Sequence, residues 1–175
     1  MKPGANEKAG PITDFLVKDH GRLEALLQSA VAQVGSVDQG LYDQFRAGLL
    51  RHIGMEEKIL LPAAQRLRGG EPLPIASKLR LDHGAIASLL MPPPTATIIA
   101  TIRAVLKVHN TIEEGPGGLY ETCDELASSE AAQLLAKLQA APELAVLPCS
   151  DSPAVMPAVQ RALERAGYQL LDDKV

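Results

Sequence analysis

All four histidines of the chain belong to one polar pattern that occurs twice. In each half, a lone histidine within the sequence Asp-His-Gly is followed further along the chain by a His-x-x-x-Glu-Glu segment. The first half supplies His20, His52 and Glu56, and the second supplies His83, His109 and Glu113. Imidazole nitrogens and carboxylate oxygens together suit iron, manganese or zinc. The repeat therefore predicts a dinuclear metal site made of six side chains.

The spacing within each His-x-x-x-Glu pair fits this chemistry if the pair lies on a helix. A step of four residues advances about 6 Å along a helix and turns about 40°, so both side chains project from one face. The imidazole can then hold one ion terminally while the carboxylate, one turn away, bridges to a second ion. Bridging carboxylates favour iron or manganese over zinc.

A simpler interpretation is that each histidine is a core residue with a local hydrogen bond, and for any single histidine this is the better interpretation. It weakens when it must hold for four. All four histidines lie on apolar helical stripes, where Glu56 and Glu113 would also be buried. An unpaired buried carboxylate costs several kcal/mol, and a metal ion removes that cost.

Other acidic residues near the pattern are expected to play lesser roles. Glu57 and Glu114 lie about 100° round the helix from the predicted ligands, so we expect them in solvent or around the site rather than on the metal. Asp19 and Asp82 precede the lone histidines and are possible partners of the imidazoles. A residue adjacent on a helix points elsewhere, however, so exposed helix-surface acids are the preferred interpretation.

Two further side chains are candidates for the site. Glu24 lies one turn after His20 and is a possible extra carboxylate ligand, although its counterpart in the second half is Ala87. Tyr120 falls seven positions after Glu113 and would face the site if the helix resumed in phase. The glycine-rich residues 115–118 interrupt that helix, and we expect a loop there, close to the site.

Four amphipathic segments must position these residues. The spacing of apolar residues predicts helices over residues 13–34, 37–68, 73–90 and 95–114, each with one histidine on its apolar stripe. Thr13 is expected to cap the first helix, and Pro62 to kink the second one turn beyond Glu56. Short connections between four such helices predict an all-α fold, an up-down-up-down four-helix bundle.

The remainder of the chain predicts additional short C-terminal helices. These are expected around residues 129–140 and 153–166, with an extended segment at 145–148 between them. The predicted organisation is a flexible N-terminal lead-in over residues 1–11, the bundle over 12–126, and a helical extension over 127–175 that packs on the bundle.

Composition supports helices and excludes several classes of partner. The 175 residues are 46% hydrophobic but only 3% aromatic, without tryptophan, which indicates an aliphatic core. A formal net charge of −4 and a pI near 5.6 argue against nucleic acid or an anionic membrane surface as partner. The longest apolar stretches, such as residues 98–102, are too short to span a bilayer.

The beginning of the chain and its cysteines predict a cytoplasmic protein. The first eight residues contain no apolar secretion core. Cys123 and Cys149 show neither a C-x-x-C spacing nor a neighbouring histidine, so ordinary thiols are expected. Nothing in the sequence identifies a protein partner.

With a lone histidine on the first and third helices and His-x-x-x-Glu on the second and fourth, residues 12–126 resemble the hemerythrin-like family, in its HHE cation-binding branch. The resemblance implies a centre of two non-haem iron ions inside a four-helix bundle, with Zn or Mn as possible substitutes. It also implies that the four histidines are terminal ligands and that Glu56 and Glu113 are bridges.

The chain departs from the oxygen-carrying hemerythrins at two positions. Those proteins have His-x-x-x-His on the third helix, whereas here Ala87 stands four residues after His83. They have His-x-x-x-x-Asp on the fourth helix, where this chain has His109 and Glu113. One imidazole fewer leaves more positions on the ions open or filled by water, which speaks against reversible O2 carriage.

Three functions are compatible with this pattern. The first is a di-iron protein that binds or senses O2, NO or iron. The alternative is an enzyme that acts on O2, peroxide or NO, or a protein of the iron–sulfur cluster repair type; whether the chain is an enzyme is left open. A third is a structural or interaction module that keeps the site without using it, and this one predicts equal stability with and without metal.

Overall fold

The computed structural model describes residues 9–172, and their regular secondary structure is entirely helical. The eight α-helices are α1 Pro11–Ala30, α2 Gln39–Met55, α3 Leu61–Leu67, α4 Ala76–Leu89, α5 Ala96–Glu114, α6 Leu119–Ala127, α7 Ala131–Gln139 and α8 Val155–Ala166. A 3₁₀ turn, Ser128–Glu130, leads into α7. The predicted all-α class with short C-terminal helices is thus confirmed for the described part of the chain.

The predicted division into lead-in, bundle and extension stays a prediction. Residues 1–8 of the expected flexible lead-in lie outside the described residues. At the other end, α8 packs on α4, where the Lys78 ammonium donates a hydrogen bond to the carbonyl oxygen of Ala166 at 2.8 Å. Within residues 9–172, no helix has both the length and the hydropathy needed to cross a membrane.

Helix α1 begins two residues earlier than predicted, and its cap comes from elsewhere in the chain. Pro11 occupies the first turn, where its missing N–H costs nothing. The carboxylate of Asp124, on α6, accepts hydrogen bonds from the backbone N–H groups of Ile12 at 3.0 Å and Thr13 at 2.9 Å. The Thr13 hydroxyl donates to the same carboxylate at 2.7 Å, so Thr13 is not the cap.

The predicted second helix is divided by a π-helical turn. This turn, Glu56–Leu60, joins α2 to α3, and the N–H of Leu61 donates to the carbonyl oxygen of Glu56, five residues back. It ends two residues before Pro62, whose ring cannot accept the normal helical geometry with the carbonyl four residues earlier. The wider turn accommodates this proline, and it begins at one of the predicted metal ligands.

Two hydrophobic clusters fill the interior, and the predicted site lies between them. On each of α1, α2, α4 and α5, the histidine falls where the apolar residues change from one cluster to the other. The residues before and after it that belong to different clusters are Leu16 and Leu23, Leu49 and Met55, Leu79 and Ile86, and Val105 and Ile112. The histidines therefore form a polar layer enclosed by apolar packing at both ends.

Candidate metal centre

All six side chains predicted as ligands converge in this layer. Their potential ligand atoms form two groups, and in each group the atoms lie within 4.8 Å of one another. The first group consists of His20, His52, Glu56 and Glu113, and the second of Glu56, His83, His109 and Glu113. The carboxylates of Glu56 and Glu113 are fully buried and are shared by both groups.

The second group contains buried polar atoms that make no hydrogen bond within the protein. The Nε2 atom of His83 lies 3.0 Å from Glu56 Oε2 and 3.6 Å from Glu113 Oε1, and Nε2 of His109 lies 2.9 Å from the same Glu113 oxygen. Of these atoms, Nε2 of His83, Oε2 of Glu56 and Oε1 of Glu113 are buried and make no hydrogen bond. Such groups are rare because each costs desolvation energy. A cation between them would satisfy all three, so this donor set fits a metal.

The first group surrounds the hydroxyl of Tyr120, on α6. This hydroxyl lies 3.1 Å from Nε2 of His20, 3.2 Å from Nε2 of His52, 2.6 Å from Glu56 Oε1 and 3.0 Å from Glu113 Oε2. The sequence left the orientation of Tyr120 open because of the glycine-rich break. The structure places its side chain inside the site.

Each imidazole turns Nε2 toward the centre and Nδ1 toward a carboxylate outside it. Two of the outer carboxylates come from residues that follow the predicted bridges. Nδ1 of His83 lies 2.6 Å from Glu57 Oε1, and Nδ1 of His20 lies 2.5 Å from Glu114 Oε1. A carboxylate on the distal nitrogen fixes the ring orientation and strengthens a metal-binding imidazole.

The interpretation of Asp19 and Asp82 as exposed surface acids is wrong. Both are buried, and their carboxylates lie 2.8 Å from Nδ1 of His52 and 3.2 Å from Nδ1 of His109, respectively. An aspartate next to a histidine does point away from it, as expected. The direction in which it points is toward the adjacent helix, where it meets the histidine of the His-x-x-x-Glu pair.

Glu24 takes no part in the site. Its side chain is largely exposed and lies 3.8 Å from the guanidinium of Arg103. His20 occupies the edge of the buried stripe of α1, which runs through Leu23 and Leu27. A residue one turn beyond this edge position remains at the surface.

The imidazoles and carboxylates of the site shift one another's pKa values. Burial alone would lower the pKa of the imidazoles, but the adjacent carboxylates outweigh it and raise the pKa of His52 to about 10, His83 to about 11 and His109 to about 9. Burial and the charge of His52 lower the pKa of His20. The protonated imidazoles in turn overcome the burial of Glu56 and hold its pKa well below the usual value.

The metal-free protein is therefore expected to lose stability as the pH rises. The raised pKa values mean that the folded chain keeps protons that the unfolded chain loses above pH 6.5. This stabilisation is complete below that pH, declines progressively above it, and is lost once the pH has risen through the folded-state values of about 9 to 11. Urea titrations at pH 6.5 and 9 should differ by at least about 1 kcal/mol in the free energy of unfolding. Equal values would contradict the expectation.

The outer carboxylates provide a second test. Asp82→Asn is expected to weaken metal binding about 10–100-fold, because the neutral amide no longer supports the imidazole of His109. Asp14→Asn is the matched control, since Asp14 is an exposed aspartate paired only with Lys18 on the surface of α1. Titration of both variants with a divalent metal measures the difference. Equal affinities in the two variants would show that Asp82 has no such role.

The helices and the site define a class of protein: an all-helical cation-binding domain with buried histidine and glutamate groups. A family model described as the hemerythrin HHE cation binding domain matches residues 11–115. Because the match covers more than half of the chain, the protein belongs to this family, which confirms the resemblance noted from the motifs. The matched range contains all six predicted ligands and ends before Tyr120. No curated protein and no solved structure matches the chain.

Proposed function

We propose that the chain binds two non-haem iron ions in its interior. His20 and His52 would hold one ion, His83 and His109 the other, and the carboxylates of Glu56 and Glu113 would bridge them. The observation that carries this proposal is the set of three buried atoms in the second group, on Glu56, His83 and Glu113, that make no hydrogen bond. Zinc or manganese fits the same donor types and is a possible substitute.

We also propose that α1, α2, α4 and α5 form an up-down-up-down bundle around these ions. Contacts of α1 with α2 and α5, and of α4 with α5, support this arrangement. The two apolar clusters at either end of the polar layer would then exclude water from the ions. The four outer carboxylates would hold each imidazole with its Nε2 facing inward.

We propose that the protein binds or senses O2 or NO at this centre. The other possibility under this proposal is that the protein binds or senses iron itself. Iron with open positions supplies the binding and redox chemistry for such ligands. Two imidazoles and shared carboxylates per ion leave such positions open, as in other non-haem iron sites. A cavity of about 380 Å³ reaches His20 from outside, between α1 and α5, and is also lined by Glu114 and Asn110. A diatomic molecule would approach the first group from this cavity.

We place this function in the cytoplasm. The support is that both cysteines of the chain, Cys123 and Cys149, are free. Free thiols persist in a reducing compartment, whereas disulfides form in oxidising ones.

Metal analysis combined with an optical spectrum tests the proposal. Protein purified without oxygen should contain two iron ions per chain, and its spectrum should change on addition of air or NO. Protein that takes up no iron, zinc or manganese would contradict the proposed site. A spectrum that responds to neither gas would contradict the binding of O2 or NO but would still be consistent with metal binding.

The same preparation separates binding from catalysis. Stoichiometric uptake of NO or peroxide without further consumption supports a binding or sensing protein. Repeated turnover that is abolished by His52→Ala would instead favour the alternative, an enzyme. The variant's helical content, from circular dichroism, should match that of the parent chain.

A further inference from the structure

Tyr120 supplies an oxygen to the metal centre that is not among the six predicted ligands. Its side chain is completely buried, and its hydroxyl contacts the ligand atoms of all four residues in the first group. In the second group, by contrast, the corresponding atoms face one another and three of them make no hydrogen bond. The phenol is therefore present in the first group and has no counterpart in the second.

The phenol by itself cannot satisfy the two carboxylates that it contacts. A neutral phenol has one O–H to donate, and ionised carboxylates only accept. The single phenolic proton can serve either Glu56 Oε1 at 2.6 Å or Glu113 Oε2 at 3.0 Å. The other oxygen then depends on an imidazole, since Nε2 of His52 lies 3.2 Å from Glu56 Oε1 and Nε2 of His20 lies 3.5 Å from Glu113 Oε2. An additional positive charge among these oxygens would satisfy both carboxylates and the phenolic oxygen.

The distances fit donors that share one ion. Protein nitrogen and oxygen ligands lie about 2.0–2.2 Å from a metal, so two neighbouring donors on the same ion lie about 3 Å apart. The phenolic oxygen lies 3.1 Å and 3.2 Å from Nε2 of His20 and His52, and 3.0 Å from Glu113 Oε2. These are the separations expected of a fifth donor in the first group.

The start of α6 holds the phenol in this position. Gly118 lies so close to the end of α5 that a Cβ atom there would come within 2.6 Å of the carbonyl oxygens of Ile112 and Glu113. One turn after Tyr120, Asp124 binds the first turn of α1. The tyrosine is thus fixed between two attachments of the same short helix, which gives it little freedom to leave the site.

We propose that the phenolate oxygen of Tyr120 is a ligand of the ion held by His20 and His52, so that the two metal positions are chemically unequal. This inference rests on the proposed di-iron function. On binding to iron(III), the phenolic O–H bond breaks, an oxygen–iron bond forms, and the proton is released to solvent. The oxidation state of the iron does not change in this step.

Resonance Raman spectroscopy of the iron(III)-loaded protein, with iron content measured separately, tests the inference. Iron(III)-bound phenolate gives a visible absorption band, and excitation in that band enhances ring vibrations specific to the phenolate. We expect these vibrations in the parent chain and in Y42F, and their loss in Y120F. Tyr42 is the matched control because it is equally buried and lies ten residues before His52 on α2, about 15 Å along the helix.

The outcomes separate this inference from the function on which it rests. A parent chain that binds two iron ions but shows no phenolate vibrations would overturn the role of Tyr120 and leave the di-iron site intact. Vibrations that persist unchanged in Y120F would overturn it as well. If no iron binds to the parent chain, both proposals fail. Should Y120F not load iron, retention of the signal in both Y42F and Y168F would still assign it to Tyr120, since the chain has three tyrosines.

Discussion

Glu113→Gln is expected to lower the affinity for metal at both positions by more than about 100-fold. This is a larger loss than the about 10–100-fold expected when an outer carboxylate is replaced. The reason is that the Glu113 carboxylate belongs to both groups, while each histidine belongs to one. His109→Ala should therefore lower affinity only at the second position and leave about one ion per chain. Elemental analysis after dialysis against a fixed concentration of free metal measures both variants.

Comparison of the metal contents of Glu113→Gln and His109→Ala shows whether the Glu113 carboxylate serves both metal positions. Glu125→Gln, an exposed glutamate on α6, is the control and should retain the metal content of the parent chain. Circular dichroism should confirm that all variants are equally helical. If Glu113→Gln lost no more metal than His109→Ala, the carboxylate would not be shared between two ions.

Removal of the metal is expected to have the largest effect on stability. An ion that binds only the folded chain stabilises it by about 2.7 kcal/mol when its free concentration is 100 times the dissociation constant. For a protein of this size, that raises Tm by about 5–10 °C. Thermal unfolding with increasing concentrations of the metal, compared with chelator-treated protein, gives the shift.

Two controls make the stability experiment specific. Mg²⁺ prefers oxygen ligands in octahedral geometry and should give little shift at the same concentration. The Glu113→Gln variant should show a much smaller shift in Tm at the same metal concentration. Equal Tm values for the metal-free and metal-loaded parent chain would favour the third function, a module that keeps the site without using it.

The sequence predicted the six converging residues because their pattern is local and repeated. An i to i+4 pair lies on one helical face whatever the rest of the fold does, so His52 with Glu56 and His109 with Glu113 could be recognised directly. The lone histidines followed from the repeat. The boundaries of α5 were also predictable, since Thr95 caps it through the N–H of Ile98 and the break at residues 115–118 ends it.

The remaining features depend on contacts between distant segments. The roles of Asp19 and Asp82 are set by which helix lies alongside, and helix neighbours cannot be deduced from spacing within one helix. The position of Tyr120 depends on the angle at which α6 leaves the glycine-rich loop. The cap of α1 comes from Asp124, which is separated by more than a hundred residues from the amides it binds.

The hydrogen bonds of Asp124 connect the first turn of α1 to the helix that carries Tyr120. Because α6 carries both this carboxylate and the phenol, any opening that withdraws the phenol also releases the amides of Ile12 and Thr13. Local openings of this kind are cooperative over short units of structure. Deuterium uptake at these two amides, in the first turn of α1, would then report how often the proposed metal site is uncovered.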